Sequence, residues 1–145
     1  PDVTRAHEPL QPALELSTRV ISLHRVEAGE TIGYARSYRA SRALSIATIA
    51  IGYNDGFARA MSNGGEVLIR GRRCEVVGRV CMDVCMVDVT HLDGEVEEGD
   101  EVIVFGRQGE EYLSVDAMAK RCGTISYEIL CNISPRVRRI FVQGT

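Results

Sequence analysis

Short apolar runs of strand length, separated by glycine-containing turns, dominate this sequence from residue 19 onwards. The runs are rich in Val and Ile, which favour strands, and residues 71–73 are expected to connect two of the strands as a hairpin. About seven strands are predicted, at 19–26, 31–34, 45–51, 66–70, 74–80, 84–89 and 100–106. Many short strands at regular spacing favour a mainly β domain closed, or nearly closed, into a small barrel. The length of 145 residues fits one such domain.

One segment near the C-terminus has clear helix signals. Ser114 is a typical N-cap residue, Lys120 and Arg121 suit the last turn of a helix, and Gly123 suits its end. A helix is therefore predicted between residues 114 and 123.

A second short helix is expected over residues 127–131, with Thr124, Ser126 or a nearby residue as its cap and Pro135 ending it. Polar and apolar residues alternate less clearly over residues 138–142, but this segment is expected to form a closing strand. The predicted fold is thus mainly β, with one or two short helices near the C-terminus.

The first fifteen residues differ from the rest. Residues 1–15 contain three of the four prolines and no clear periodicity, which predicts an extended interdomain linker before a domain at 16–145. The chain also lacks an initiator Met, which indicates that it was cut from a larger protein.

Composition excludes several classes of function. The formal net charge of -3 gives no basic surface for nucleic acid, and no apolar run approaches the length of a membrane span. The five cysteines include no CxxC pair, so a zinc site is disfavoured, and the acidic run at 95–100 is interpreted as a solvated turn. Apolar neighbours of Cys81 and Cys85 predict buried, reduced thiols in a cytoplasmic protein.

Three tyrosines lie at predicted strand or helix boundaries beside turn residues: Tyr34, Tyr53 and Tyr127. Boundaries are where binding and catalytic residues are commonly found. By spacing alone, each tyrosine better fits a core residue whose hydroxyl reaches water.

Four motifs occur in order: Tyr-Ala-Arg-Ser-Tyr at 34–38, Ile-Gly-Tyr-Asn-Asp-Gly at 51–56, Gly-Arg-Val-Cys-Met-Asp at 78–83 and Thr-Ile-Ser-Tyr-Glu at 124–128. Together with Gly-Arg-Gln-Gly at 106–109 and Ser-Pro-Arg at 134–136, they make nearly the whole chain similar to the C-terminal domain of alanine racemases. These enzymes use pyridoxal 5'-phosphate (PLP) to interconvert L- and D-alanine, which supplies D-alanine for peptidoglycan.

The resemblance implies partners outside this chain. In that family, the domain follows a PLP-binding (β/α)₈ barrel, and two subunits form a head-to-tail homodimer. The partners of this domain would be two N-terminal barrels, one of the same protein and one of the second subunit. The resemblance places both barrels outside this chain. An isolated domain is then expected to expose an apolar docking face, and its small substrate would be an amino acid.

The resemblance also implies roles for individual residues. Tyr34 matches the catalytic tyrosine, which moves the α-proton on the face used by the L-enantiomer. Met82 matches the residue whose backbone N–H holds the substrate carboxylate, and Tyr127 matches the tyrosine that binds the PLP phosphate. Tyr53 matches a residue of the substrate entrance. Three charged residues match positions near the same entrance, and each could equally form a surface or structural ion pair: Arg59, Arg79 and Asp83.

Two positions depart from the family pattern, since Ala35 replaces a usual glycine and Asn54 a common alanine. Positive φ at Ala35 would be strained, and Asn54 could alter specificity, for example toward serine. Lys120, the only lysine, does not match the PLP lysine of the family, so the chain alone is expected to be inactive. Two alternatives stay open: a serine or broad-specificity racemase domain, and a non-catalytic β-barrel interaction module.

Overall fold

The computed structural model describes residues 11–142, and the elements within that range are mostly strands. The strands are β1 Leu16–Val26, β2 Thr31–Ile32, β3 Tyr38–Arg39, β4 Leu44–Ile49, β5 Glu66–Ile69, β6 Arg72–Val77, β7 Cys85–Asp88, β8 Glu101–Gln108 and β9 Glu111–Leu113. The α-helices are α1 Val115–Cys122 and α2 Ser126–Cys131, and single 3-10 turns occur at Tyr34–Arg36, Arg59–Met61 and Thr90–Leu92.

Six of the strands form a closed antiparallel ring. Neighbours in the sheet run in the order β1-β4-β7-β6-β5-β8, and β8 pairs back onto β1 from Leu16 opposite Phe105 to Arg19 opposite Glu101. The strand β9 extends β8 beyond the ring. The predicted small barrel with late helices is confirmed.

Apolar clusters lie on both sides of the ring. One fills its interior, and another covers part of its outer surface. Successive residues of a strand face opposite ways, so Ala47 lies in the main interior cluster while Ile46 lies in a second cluster outside the ring. The hairpin of β2 and β3 covers that outer cluster, and its Ile32 and the following Ala40 are buried there. The hairpin is thereby fixed against β4 and β6.

The β5–β6 hairpin turn lies one residue earlier than predicted. Ile69 pairs with Arg72, so the connection is the two-residue turn Arg70–Gly71, with φ values of 52° and 72°. Left-handed conformations at both positions give the type of turn that matches the twist of a hairpin. Arg70 is held in it by two hydrogen bonds to the Asp100 carboxylate, of 2.8 and 2.7 Å.

The first helix follows its sequence signals. The Ser114 hydroxyl accepts the Ala117 N–H at 3.0 Å, and Gly123 ends the helix with φ at 70°. Neither Thr124 nor Ser126 caps α2, because its N-cap residue is the neighbouring Ile125 and no side chain caps the helix. Thr124 and Ser126 bind carboxylates instead, those of Glu128 and Asp116.

The strand predicted at residues 138–142 is wrong. No strand forms there, and Ile140, Phe141 and Val142 are 73–95% exposed. The β1–β8 pairing has already closed the ring, so no barrel edge is free to accept another strand. Of the predicted linker 1–15, residues 11–15 have no regular structure and residues 1–10 lie outside the described range.

The five cysteines are all free thiols, but their burial differs. Cys74 and Cys85 are buried. Burial raises the pKa of both thiols, that of Cys74 to about 12. Cys81 and Cys122 are half-buried and Cys131 is exposed on α2, so the burial predicted for Cys81 and Cys85 is complete only at Cys85. Between residues 11 and 142 there is neither a helix able to cross a bilayer nor a group of three side chains able to hold a metal.

Candidate functional site

The strand register brings most of the predicted site residues to one end of the ring. β4 ends at Ile49, opposite Cys85 at the start of β7, and β6 ends at Val77, opposite Met86. The segment after β4 and the segment between β6 and β7 therefore meet. We call residues 51–57 the Tyr53 loop and residues 78–84 the Met82 loop.

Backbone hydrogen bonds join these two loops directly. The Tyr53 N–H donates to the Cys81 carbonyl and the Asn54 N–H to the Met82 carbonyl, both at 3.0 Å. Gly52 makes this possible, because a Cβ there would lie 2.3 Å from the Cys81 oxygen. The side chains of Tyr53 and Met82 are left 45% and 52% exposed at the end of the barrel.

Tyr34 lies on the turn at the tip of the β2–β3 hairpin, and glycine contacts attach that turn to the Met82 loop. The Cα of Gly78 lies within 3.2 Å of where a Cβ on Gly33 would be, and the reverse distance is also 3.2 Å. No larger residue fits at either position without moving the turn. Tyr34 itself is 71% exposed, so its phenol is open to a ligand or a partner.

The turn that carries Tyr34 is strained. Ala35 and Arg36 both have positive φ, at 59° and 53°, a conformation that L-residues avoid. The Arg36 N–H donates to the Gly33 carbonyl at 3.1 Å, which closes the turn. Ala35, which replaces the usual glycine of the family, therefore does have the positive φ that glycine favours.

We expect the substitution Ala35→Gly to stabilise the chain by about 1 kcal/mol, because glycine adopts positive φ without a Cβ clash and Ala35 is exposed. Urea unfolding followed by far-UV circular dichroism would measure this. Ala28 is a matched control, since it is exposed in a turn and does not have positive φ. There, Ala28→Gly should cost about 0.5 kcal/mol, and equal effects at the two positions would contradict the strain at Ala35.

Arg59 and Arg79 lie on neighbouring segments. The Ser62 hydroxyl donates to the Arg59 carbonyl at 2.6 Å and accepts the Val80 N–H at 3.0 Å, so the 3-10 turn of Arg59 is attached to the Met82 loop. Arg59 is exposed and Arg79 half-buried. Within residues 11–142 neither arginine forms a salt bridge.

Asp83 is paired with a residue that the sequence did not single out. Arg136 donates from Nη2 to Asp83 at 2.5 Å and from Nε to Asp55 at 2.7 Å. Both hydrogen bonds raise the pKa of Arg136, the one to Asp55 more strongly. The motifs Ser-Pro-Arg at 134–136 and Asp-Gly at 55–56 contained these residues, but nothing in their spacing predicted the pairing.

Tyr127 is connected to the other residues through the end of its helix. It is 60% exposed on α2, and the carbonyl of Asn132, just beyond that helix, lies 2.6 Å from where a Cβ on Gly56 would be. The Ser134 N–H then donates to the Asp55 carbonyl at 3.1 Å. Tyr53, Met82 and Asp83 are thus joined directly, while Tyr127 is attached to their loops at a distance.

The site offers exposed phenols, a thioether and backbone groups. Phenols can donate or accept protons and hydrogen bonds, and exposed aromatic side chains at one end of a barrel suit contact with a further domain. Lys120 is exposed in the last turn of α1.

The family model described as "Alanine racemase, C-terminal domain" matches residues 13–141. An alanine racemase of Carboxydothermus hydrogenoformans is 48% identical over 141 residues, which are 97% of this chain and 38% of the relative. One of Cutibacterium acnes is 50% identical over 133 residues, 92% of this chain and 35% of the relative. The chain thus spans about a third of the length of these curated relatives.

Solved structures agree with the sequence comparison. The alanine racemase of Bacillus anthracis with bound L-Ala-P has a TM-score of 0.87 and 45% identity, over 93% of this chain and 34% of that chain. The alanine racemase of Bartonella henselae with covalently bound pyridoxal phosphate has a TM-score of 0.82 and 33% identity, over 88% and 34%. The resemblance carried by the four motifs is confirmed, and the chain belongs to the alanine racemase C-terminal domain family.

Proposed function

We propose that this chain is the C-terminal domain of a PLP-dependent alanine racemase, which interconverts L- and D-alanine in the bacterial cytoplasm and supplies D-alanine for peptidoglycan. One observation carries the proposal: Tyr34 presents an exposed phenol on a turn that is fixed against the Met82 loop. A racemase needs such a group, because a proton must be moved on each face of the α-carbon.

The rest of the enzyme lies outside this chain, since the chain covers only about a third of its curated relatives. In the proposal, a (β/α)₈ barrel with the PLP lysine precedes residue 1, and residues 1–15 are the linker to the domain at 16–145. A second subunit, arranged head to tail, places its barrel against the exposed Tyr34, Tyr53 and Met82. Exposed aromatic residues of this kind are typical of a docking surface.

Tyr34 moves the proton on the face used by L-alanine. PLP, when bound, withdraws electrons from the α-carbon and makes its proton acidic enough for a side-chain base. The Tyr34 phenolate then takes that proton, or the Tyr34 hydroxyl returns it, and a second base acts on the opposite face. A phenol becomes a base at neutral pH only if nearby cations stabilise its phenolate, and the proposal assigns those cations to the other domain.

Other residues bind and orient the substrate and cofactor. The exposed hydroxyl of Tyr127 is a neutral donor, which fits a phosphate oxygen of PLP. The backbone N–H of Met82 holds the substrate carboxylate, and Tyr53 lines the entrance, with Arg59, Arg79 and Asp83 nearby. Lys120, in the last turn of α1, does not fit the cofactor lysine.

The test is exchange of the α-hydrogen in deuterated water by the full-length protein with PLP. We expect exchange and racemisation of L-alanine, faster than those of L-serine. The 145-residue chain with PLP is the control and should do neither, because it lacks the second base and the cofactor lysine. Faster turnover of serine would assign a serine or broad-specificity racemase, and no exchange of either amino acid would favour the interaction module.

A further inference from the structure

Arg136 joins two loops that are separated in sequence. Its Nε lies 2.7 Å from Asp55 of the Tyr53 loop and its Nη2 lies 2.5 Å from Asp83, the residue after Met82. The Asp55 side chain is 13% exposed and the Asp83 side chain 54%. A guanidinium suits this position, since its planar set of N–H donors can bind two carboxylates at once.

Each carboxylate oxygen of Asp55 has its own role. Oδ2 accepts the Gly52 N–H at 2.9 Å, which closes the Tyr53 loop, and Oδ1 accepts Arg136. The Asp55 carboxylate is therefore held in place by its own loop as well as by Arg136. Asp83, in the exposed part of the Met82 loop, is the carboxylate that Arg136 holds in place.

The C-terminal segment places Arg136 accurately. The Ser134 N–H donates to the Asp55 carbonyl at 3.1 Å, and the Arg139 Nη2 donates to the Ile133 carbonyl at 3.3 Å. Pro135 follows Ser134 and fixes its own φ. Arg136 is thus attached to the Tyr53 loop through the backbone of Ser134 as well as through its own guanidinium group.

We propose that Arg136 is a positioning residue for binding of the substrate carboxylate. The backbone bonds between the loops fix the carbonyls of Cys81 and Met82, whereas Arg136 fixes the chain on the other side of Met82, at Asp83. Together they orient the Met82 N–H. This inference rests on the proposed function, in which that N–H binds the carboxylate.

The test uses the full-length protein with PLP and the variants Arg136→Gln and Arg136→Lys. A contact made equally in the ground and transition states changes KM and not kcat, so we expect KM for L-alanine to rise roughly tenfold while kcat changes less than about twofold. The Ki of propionate, which keeps the carboxylate and lacks the amine, should rise in parallel. Arg136→Lys should rescue little, because an ammonium group does not bind both carboxylates in the same geometry.

Two further variants separate positioning from folding. Asp83→Asn leaves the pair of Arg136 with Asp55 in place and should raise KM as much as Arg136→Gln does, and the double variant should add little. If Arg136→Gln does not fold, Asp83→Asn alone decides. Arg138→Gln, exposed in the same segment, is the control and should leave KM unchanged.

The outcomes distinguish this inference from the proposed function. Unchanged KM and propionate Ki in Arg136→Gln and Asp83→Asn, in a protein that racemises alanine, would overturn the role of Arg136 and leave the proposed function standing. An equal fall of kcat in all variants with unchanged Ki would also overturn it. A full-length protein without racemase activity would overturn both.

Discussion

Replacing Tyr34 by Phe in the full-length protein should lower kcat/KM for racemisation by about 100- to 10,000-fold, the usual contribution of one acid–base group. The substitution removes one hydroxyl from a side chain that is 71% exposed, so neither a cavity nor an unsatisfied partner results. The turn that carries it is fixed by the backbone contact of Gly33 with Gly78, which the substitution leaves unchanged. Folding should therefore be unaffected, and the loss should be chemical.

Exchange of the α-hydrogen, measured separately for L- and D-alanine, gives a sharper readout, because the proposal has Tyr34 act on one face only. In deuterated water, the Tyr34→Phe variant should still exchange the α-hydrogen of D-alanine, because the base on the opposite face is intact. It should hardly exchange that of L-alanine. Retained exchange of D-alanine with lost racemisation would locate the defect at one face, which a general loss of structure does not produce.

Tyr38→Phe is the matched control for this prediction. Tyr38 lies four residues further on, in β3, and packs half-buried against the outer apolar cluster. Its substitution removes the same hydroxyl from the same hairpin and should leave racemisation within about twofold. Near-normal exchange of L-alanine by Tyr34→Phe, or equal losses at both tyrosines, would refute the catalytic assignment.

The elements of this fold were largely predictable from local sequence signals. The strands follow from runs of Val and Ile between glycines, and α1 follows from Ser114 at one end and Gly123 at the other. The error at residues 138–142 has a global cause. Whether a strand-like segment pairs depends on a free strand edge within its reach, and here the pairing of β1 with β8 closes the barrel.

The site was less predictable than the fold. The exposed positions of Tyr34, Tyr53 and Tyr127 agree with their placement at element boundaries, but the roles proposed for them come from the four motifs in order and not from spacing. Arg136 is 81 residues from Asp55 and 53 from Asp83 in sequence. Such a pairing depends on tertiary structure, so no local pattern could predict it.

The contact between the Tyr53 loop and the Met82 loop depends on one glycine. A Cβ on Gly52 would lie 2.3 Å from the Cys81 oxygen and 2.4 Å from the carbonyl carbon and oxygen of Met82. These are backbone atoms, which cannot rotate away as a flexible side chain can. The φ of Gly52 is not in the positive range, so a substitution there tests the close approach and not backbone strain.

Gly52→Ala should therefore separate the two loops and destabilise the chain by about 3 kcal/mol, from overpacking and the weakening of the two hydrogen bonds between the loops. Urea unfolding by circular dichroism would measure this, and in the full-length protein KM for L-alanine should rise as Met82 is displaced. Gly94→Ala is the control: Gly94 has φ at 80° but open space around it, so the cost should be about 1 kcal/mol. A Gly52→Ala variant no less stable than Gly94→Ala would show that the loops can separate freely, and the Met82 N–H would then lack the fixed position that carboxylate binding requires.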